Sequence, residues 1–356
     1  MKLFLLILLV SITTNILAFT YNNGEKDSFV FIPGFSYTTA DGIKLNGTLL
    51  YYDKTYSTSF PNAIKTVVSY GSDSEFSFGL GTSRYFSNQH YIASGSFTTG
   101  KYPSTLYYPI SGSPDEKKSE SYLSYNNYFS IGLGVKKFKE FYFGPTYTFA
   151  YYKIVEKEEG GILDNNEITG SKNTIASGIG FTISREKREN SYYPSKGYYL
   201  SLNNYFYPKF LGSNTIYDTT ALTFKYFHKL FYNVIFGYQI YTRAIFGNAP
   251  FQKLSKLGGS GILRGYSSAK YSDRRYFATQ VEIRYPVFWR VSGTAFVGTA
   301  QITNSFLNYF DYPWKLAGGV GFRFRLDKKQ NINFRLDFAW NIEGDLHIYI
   351  TSLEAF

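Results

Sequence analysis

The sequence predicts an all-β fold, a 16-stranded antiparallel transmembrane β-barrel. Apolar and polar residues alternate along many long segments, as they do in strands that separate two different media. Aromatic residues make up 21% of the chain, and only 18% of residues are charged. The mean hydropathy is −0.22, and no stretch after residue 18 is apolar enough for a membrane-spanning helix, as expected of strands in which only alternate residues face lipid.

The alternation is clearest near the C-terminus. Phe334, Leu336 and Phe338 share one face of a predicted strand, and Arg335 and Asp337 lie on the other. A soluble β-sandwich would show the same local pattern, because its strands separate a core from water. Segments of about ten or more residues with aromatics near their ends fit tilted membrane strands better than sandwich strands of about five or six residues. The sequence therefore favours the barrel.

Sixteen such segments can be delimited, and an even number is expected of a single-chain bacterial barrel. They are residues 29–38, 43–53, 62–72, 74–87, 90–101, 119–138, 141–154, 172–186, 198–208, 216–230, 233–246, 276–288, 291–302, 315–327, 332–341 and 346–355. With a periplasmic N-terminus, the longest outward connections are 102–118, 155–171, 247–275 and 303–314. Most periplasmic connections are short, with 187–197 as the main exception. Long outer loops and short inner turns are typical of outer-membrane barrels.

The N-terminus predicts export. Lys2 precedes an apolar run that ends at Val10, and the small residue Ala18 stands at a plausible cleavage position. The run is too short to span a bilayer as a helix, and the alternative is a short buried helix. We predict that residues 1–18 are a signal peptide, that 19–28 form a short periplasmic N-terminal segment, and that 29–356 form the outer-membrane β-barrel.

A glycine-rich stretch lies within the connection 247–275. It reads Leu257-Gly258-Gly259-Ser260-Gly261-Ile262-Leu263-Arg264-Gly265-Tyr266. Its glycines allow positive φ angles and a close approach to other groups. The alternative is a flexible surface loop, but such a loop would be rich in Ser, Asn and charge, whereas this stretch carries Leu257, Leu263 and Tyr266. We therefore expect it to pack against another part of the chain.

The stretch Leu263-Arg264-Gly265-Tyr266, after Gly258-Gly259, resembles the Val-Arg-Gly-Phe/Tyr signature of the BamA/TamA family of bacterial outer-membrane proteins, the bacterial surface antigens. Glu282-Ile283-Arg284-Tyr285-Pro286 is similar to the family's Glu-Leu-Arg-Tyr-Pro. Arg188-Glu189-Asn190, followed by Pro194 and Gly197, resembles its Arg-Asp-Asn…Pro…Gly turn. The chain also ends in an aromatic residue, Phe356, as chains of this family commonly do. The resemblance implies that Phe356 is a C-terminal barrel signal. The resemblance covers roughly residues 29–356, which it identifies as a bacterial surface antigen domain.

The resemblance implies that the sixth outer loop folds back into the barrel, where Arg264 docks against lumenal acidic groups. The family's usual acidic partner is missing, because Gly298 stands where an Asp is expected in Phe-x-Asp-x-Gly. A buried Arg without a partner costs several kcal/mol, so another carboxylate must serve. Strand phase gives Glu282 and Asp337 as the lumenal candidates. Arg284 shares the face of Glu282, and Tyr266 is expected to pack near Phe296.

The resemblance also implies a function, namely assembly or transport of polypeptides at the outer membrane. The expected partners are outer-membrane lipid and client polypeptides or a separate periplasmic partner. Only about ten residues separate the predicted cleavage site from the first strand, so the chain is expected to be a short form without POTRA domains. The alternative function is a passive pore or a structural surface antigen, and an open lumen would favour the pore.

Several other functions lack support in the sequence. The chain has no Cys, and its three histidines, His90, His228 and His347, lie alone at the ends of predicted strands. No nucleophile–base pairing or metal-ligand spacing is present, so we expect no enzyme activity, no cofactor and no metal site. The formal net charge of +11 is spread over turns, which favours contact with anionic lipid headgroups over nucleic acid.

Overall fold

The computed structural model describes residues 20–23, 27–38, 42–53, 62–138, 140–268, 270–327 and 331–356. Residues 1–19, which include the predicted signal peptide, lie outside the described residues. No helix in the described part of the chain is both long and apolar enough to cross a membrane.

The described chain is built almost entirely of β-strands. In chain order they are β1 (Thr20–Asn23), β2 (Asp27–Thr38), β3 (Gly42–Asp53), β4 (Asn62–Gly71), β5 (Phe76–Phe86), β6 (Tyr91–Tyr108), β7 (Asp115–Lys137), β8 (Phe141–Lys157), β9 (Thr174–Glu186), β10 (Gly197–Tyr207), β11 (Tyr217–Lys229), β12 (Ile235–Gly247), β13 (Ser255–Lys256), β14 (Ser272–Asp273), β15 (Arg275–Phe288), β16 (Val291–Thr303), β17 (Lys315–Asp327), β18 (Ile332–Asn341) and β19 (Leu346–Ser352). Four short 3₁₀ segments, Lys209–Leu211, Phe231–Asn233, Phe251–Lys253 and Phe306–Phe310, lie between strands.

Strands β2 to β12 and β15 to β19 form one antiparallel sheet, in which each strand pairs with the next along the chain. The sheet curls until β19 pairs with β2, which gives a nearly closed barrel of 16 strands and confirms the predicted fold class. Of the three remaining short strands, β1 pairs with β2, and β13 and β14, which lie in the sixth outer connection, pair only with each other. We call this connection, residues 248–274, the long loop.

The two faces of the barrel wall differ as the alternation predicts. On β17, Phe322 keeps 53% of its surface exposed, whereas its neighbour Arg323 keeps 1%. On β6, Phe97 is exposed beside Leu80 and Phe129, its register partners on β5 and β7. Exposed aromatic and aliphatic side chains on the outside are the surface that lipid covers in a transmembrane barrel.

Some strand boundaries differ from the prediction. Strands β6 and β7 continue into the stretch 102–118 that was predicted as an outer loop, and only residues 109–114 connect them. The sequence hides this extension because Pro103 weakens the strand signal, while the pairing of Leu106 with Glu120 and of Tyr107 with Ser119 continues the hairpin. Strand β19 is shorter than predicted, because Leu353 adopts a φ of 66° and turns the last residues out of the sheet.

The inner wall has two different halves. Strands β15, β17 and β18 carry large buried charged side chains, whereas β5 and β6 carry mostly small polar residues on the inside. This second half borders a cavity of about 340 Å³ whose lining includes Gly81, Ser83, Ser94, Ser96 and Ser130. The interior is therefore filled on the side of the last strands and open along the early strands.

The lipid-facing phase can be tested with two lysine substitutions on one strand. Phe97→Lys places an ammonium on the outer face near the middle of the membrane segment and should lower the free energy of unfolding by about 2–4 kcal/mol. Ser94→Lys, on the exposed inner face, should change it by less than about 1 kcal/mol. Urea unfolding of the refolded barrel in lipid vesicles measures both values, and equal losses would mean that the faces are assigned wrongly.

Candidate functional site

The loop motif, residues 257–266, has a backbone that only glycine accommodates easily. Gly258, Gly259 and Gly265 have φ angles of 96°, 114° and 110°. A Cβ added at Gly265 would lie 3.1 Å from Ala317 Cβ and 3.2 Å from the Trp340 carbonyl oxygen. Gly265 therefore allows both the left-handed turn and the close approach of the loop motif to the barrel wall.

Arg264 is the centre of the motif and is 1% exposed. Its Nη2 donates to Glu282 Oε2 at 2.5 Å, and its Nη1 donates to Asp337 Oδ2 at 2.7 Å. Its Cζ lies 3.5 Å from the ring centroid of Phe296. Glu282 and Asp337, the two carboxylates selected from strand phase, thus both contact the guanidinium, which bridges β15 and β18. Only the planar fork of Arg can bind two carboxylates in this way while stacking on a ring.

Three further arginines surround the same carboxylates. Arg284 Nε donates to Glu282 Oε1 at 2.7 Å, and Arg323 Nη1 donates to Asp337 Oδ1 at 2.6 Å. The third, Arg335, has its Nε 3.6 Å from Asp337 Oδ2. All of these side chains are buried. We call Arg264, Arg284, Arg323, Arg335, Glu282, Asp337 and Glu354 the buried charge network.

The C-terminal tail supplies the last member of this network. Glu354 Oε2 accepts from Arg323 Nε at 2.7 Å, and Glu354 Oε1 accepts from Asn333 Nδ2 at 2.8 Å. Phe356 packs its ring 5.8 Å from that of Phe227, and its carbonyl oxygen accepts from Arg284 Nη2 at 3.0 Å. The terminal aromatic residue therefore lies buried against the inner wall of β11, and it is not part of a strand.

Apolar residues of the motif pack against the same wall. Leu257, Leu263 and Tyr266 form one buried cluster with residues of β15, β16 and β17. The Tyr266 ring lies 6.0 Å from that of Tyr271, and its hydroxyl donates to the Leu316 carbonyl oxygen at 3.4 Å. Phe296, the expected neighbour of Tyr266, lies in a different cluster and stacks under Arg264 instead.

The surroundings of Gly298 show why a carboxylate at this position is not required. A Cβ added there would lie 2.9 Å from Gln280 Cβ and 3.4 Å from Leu263 Cδ1. The space is already filled by the motif, and Arg264 is directed toward Glu282 and Asp337. The departure from the family pattern is thus matched by a different set of acidic partners.

A second polar cluster ties the long loop to the turn after β18. Glu343 accepts hydrogen bonds from Lys270 Nζ and Lys315 Nζ, both at 2.8 Å, and from the Tyr271 hydroxyl at 2.6 Å. Burial alone would raise the pKa of Glu343, but these three hydrogen bonds outweigh it and lower the pKa to about 2. Beside this cluster, Asn341 Nδ2 donates to the Gly265 carbonyl oxygen at 2.7 Å.

Sequence reasoning missed several of these residues. Arg323 and Arg335 lie on the polar phase of predicted strands, on the same face as Asp337. The expectation that Arg264 is buried among charged groups could have drawn attention to them. Glu354 gave no signal, because the last strand was predicted to continue through residue 355. The three histidines are apart, each within 6.4 Å of an aromatic ring and on or next to a different strand. Among the described residues, no group of three His, Cys, Asp or Glu side chains is placed to hold a metal ion.

Comparison with known proteins agrees with the barrel architecture. A profile of the Omp85 superfamily domain matches residues 37–346. BamA from Haemophilus ducreyi lacking POTRA domains 1–3 aligns with a TM-score of 0.59 and 15% identity, over 93% of this chain and 70% of that one. CdiB from Acinetobacter baumannii aligns with a TM-score of 0.63 and 12% identity, over 93% of this chain and 60% of that one. CdiB from Escherichia coli aligns with a TM-score of 0.61 and 11% identity, over 94% and 63%. No curated protein shows a significant match.

Removal of the Arg264 guanidinium should destabilise the barrel strongly. Arg264→Ala leaves two buried carboxylates facing only the remaining arginines, and we expect the free energy of unfolding to fall by about 3–5 kcal/mol. Arg264→Lys should lose more than half as much, because one ammonium cannot reproduce the planar fork. Arg274→Ala, at an exposed position of the long loop, is the matched control and should change little. Urea unfolding checks all three variants, and wild-type stability in Arg264→Ala would contradict the electrostatic role.

The Glu343 cluster should give a pH-dependent contribution to stability. Because the folded pKa of about 2 is below the ordinary value of 4.5, the contribution is fully present above pH 4.5 and is lost as the pH falls toward 2. At pH 6, Glu343→Gln should therefore be less stable than the wild type by about 1 kcal/mol. The difference between the two proteins should shrink on acidification to pH 2.5. A difference that stays constant with pH would show that the carboxylate charge contributes nothing.

Proposed function

The chain belongs to the Omp85 superfamily and is an outer-membrane β-barrel, and from this premise we propose that it assembles or transports polypeptides at that membrane. BamA and CdiB, which share its barrel fold, are protein insertion and secretion transporters. The chain spans less than two thirds of the two CdiB proteins, so the proposal has to rest on features of its own barrel.

The observation that carries the proposal is the weak junction between the first and last barrel strands, which we call the seam. Strands β2 and β19 share three register pairs, Ile348↔Tyr37, Tyr349↔Ser36 and Ile350↔Phe35. By contrast, β2 shares twelve pairs with β3, and β19 shares seven with β18. Among the described residues, the seam therefore has the fewest register pairs of any junction in the wall, and its separation also requires Val30 and Ile32 of β2 to leave the buried apolar cluster that they form with Ile332 of β18.

The edge of β2 offers a template for another strand. Between the pairs with β19 and the pairs of β1 with Asp27–Val30, residues 31–34 have no neighbour in the sheet on that side. An exposed edge recruits extended polypeptide through its unpaired N–H and C=O groups. A client strand that adds here would meet lipid on one side and the barrel interior on the other, which is the environment of a new outer-membrane strand.

The loop motif makes one side of the seam rigid. The buried charge network joins the long loop to β15, β17 and β18 and to the tail that follows β19. None of its members lies on β2 to β5. We infer that the long loop folds into the barrel interior and braces the last strands, with Arg264, Glu282 and Asp337 as its positioning residues. The early strands are held to this sector by the backbone pairs of the seam and by the apolar cluster of Val30, Ile32 and Ile332, and by no member of the charge network.

The contents of the barrel favour transport over catalysis. The buried charged side chains of the last strands are arranged as ion pairs that hold strands together. The three histidines do not form one cluster, because His90 precedes β6, His228 lies on β11 and His347 lies on β19, beside β18. The proposed ligands are client polypeptides and, where a receptor is needed, a separate periplasmic partner.

A second function, passive diffusion, is favoured by the open half of the interior. The cavity of about 340 Å³ along β4 to β7 is lined mainly by hydroxyls and glycines together with Lys65, a surface that water and small polar solutes can wet. Single-channel recording separates the two functions: a passive pore conducts steadily, and deletion of residues 256–275 increases its conductance, whereas an assembly barrel needs the seam.

A disulfide across the seam tests the proposed function, and the chain has no native Cys to interfere. The register partners Tyr37 and Ile348 are replaced by Cys, and Ser83 and Ser94, partners on β5 and β6, form the control pair. The assay is protease-protected insertion of an unfolded outer-membrane protein into vesicles that contain the barrel. We expect the barrel to accelerate insertion at least about tenfold, the oxidised seam pair to abolish the acceleration, and reductant to restore it. The control pair should have no effect. Full acceleration with a locked seam would rule out this route.

A further inference from the structure

A second fastening point of the long loop lies far from Arg264, in the 3₁₀ segment Phe251–Lys253. The side chain of Lys253 is 9% exposed. Its Nζ lies 5.3 Å from the ring centroid of Tyr128, 5.9 Å from that of Tyr152 and 5.4 Å from that of Tyr207. These tyrosines project from the inner faces of β7, β8 and β10. We call the three rings the tyrosine cage.

The cage is held in place by contacts that do not involve Lys253. The Tyr207 ring stacks on Tyr217 with a centroid distance of 4.3 Å and an interplanar angle of 9°. The Tyr207 hydroxyl also accepts from Thr148 Oγ1 at 3.2 Å. Tyr128 and Tyr152 pack against the same buried cluster, which includes Ala150 and Tyr217. The rings would therefore keep their arrangement without the lysine.

The backbone around Lys253 is also fixed by contacts that do not involve its ammonium group. Arg243 Nη2 donates to the Lys253 carbonyl oxygen at 2.9 Å, and the Phe251 amide donates to the Thr169 carbonyl oxygen at 2.9 Å. The Phe251 ring packs edge-on to Tyr122 with a centroid distance of 5.6 Å. The long loop is thus seated on this wall before the ammonium group is considered.

The aromatic rings are needed to stabilise the buried positive charge of Lys253. None of the ion pairs in the described part of the chain involves Lys253, so its charge faces ring faces and Arg243 rather than a carboxylate. Burial lowers the pKa of Lys253 to about 7, and Arg243 acts in the same direction. The negative faces of aromatic rings attract a cation, and this attraction is larger when the cation is removed from water. The ammonium form therefore occupies the cage below about pH 7, where the rings are its main stabilising partners.

We propose that Tyr128, Tyr152 and Tyr207 form a binding site for a primary alkylammonium group, and that Lys253 is its resident ligand. The site attaches the long loop to the wall of β7, β8 and β10, whereas Arg264 attaches it to the opposite wall of β15 and β18. The loop is thereby held across the barrel at two points with different chemistry, ion pairs at one and cation–π contacts at the other.

The test empties the cage and refills it from solution. Lys253→Ala in the full-length refolded barrel removes the ligand and should lower Tm by about 2–6 °C. At about pH 6, n-butylammonium should then raise the Tm of this variant in a concentration-dependent manner and recover at least half of the loss. It should leave the wild type unchanged, because Lys253 already fills the site.

Matched controls separate charge from packing. n-Butanol has the same chain without the charge and should recover less than a third of what n-butylammonium recovers. Lys253→Met, which fills the cage with an uncharged chain, should have a lower Tm than the wild type and no response to n-butylammonium. Tyr128→Leu combined with Lys253→Ala should lose the recovery, because the ring that it removes makes no hydrogen bond among the described contacts. Lys209→Ala, at an exposed position of another loop, should behave as wild type.

Two results would overturn the proposal. Equal recovery by n-butanol would show that the site is an apolar cavity, and a Lys253→Met protein as stable as the wild type at about pH 6 would show that the cation contributes nothing. Either result would leave the seam and the proposed function untouched, because neither measurement depends on client insertion.

Discussion

The structure depends on the burial of one guanidinium. Arg264 is removed from water by a glycine-rich turn, and a buried charge is tolerated only when its partners satisfy it. Glu282 and Asp337 provide these partners, but two carboxylates and one arginine leave further charge to balance. Arg284, Arg323, Arg335 and Glu354 bring the network to four arginines and three carboxylates, and their positions bring β15, β17, β18 and the C-terminal tail together. Removing one member therefore affects the whole sector of the barrel.

This constraint makes the barrel asymmetric. The last strands are tied to one another through ion pairs on their inner faces, whereas no member of this network lies on β2 to β5, which are held by backbone pairing and, at β2 and β3, by an apolar cluster with Ile332. The seam lies where these two sectors meet, and it has three register pairs. The turn at Leu353 directs Glu354 and Phe356 into the interior, so the residues that would lengthen the seam stabilise the charge network instead. A strong interior and a weak seam therefore have the same structural origin.

Much of the architecture could be predicted from the sequence, because alternation with a period of two records which residues face lipid. The number of barrel strands and the choice of Glu282 and Asp337 both follow from strand phase, which is a local property. The turn at Leu353 was missed because the residues before it, Ile348 to Ile350, continue the strand pattern. The tyrosine cage was missed for a different reason. Tyr128, Tyr152 and Tyr207 are separated by many residues from Lys253, and only closure of the barrel brings them to it.

We infer that the wall opens at the seam while the last strands remain fixed to the loop motif. Amide hydrogen exchange of the barrel in lipid nanodiscs tests it most directly. We expect that those amides of residues 35–37 and 348–350 that donate across the seam exchange at least about a hundredfold faster than the amides of β17 and β18, because opening the seam breaks few hydrogen bonds. Equal protection of the seam and of β17 and β18 would contradict it.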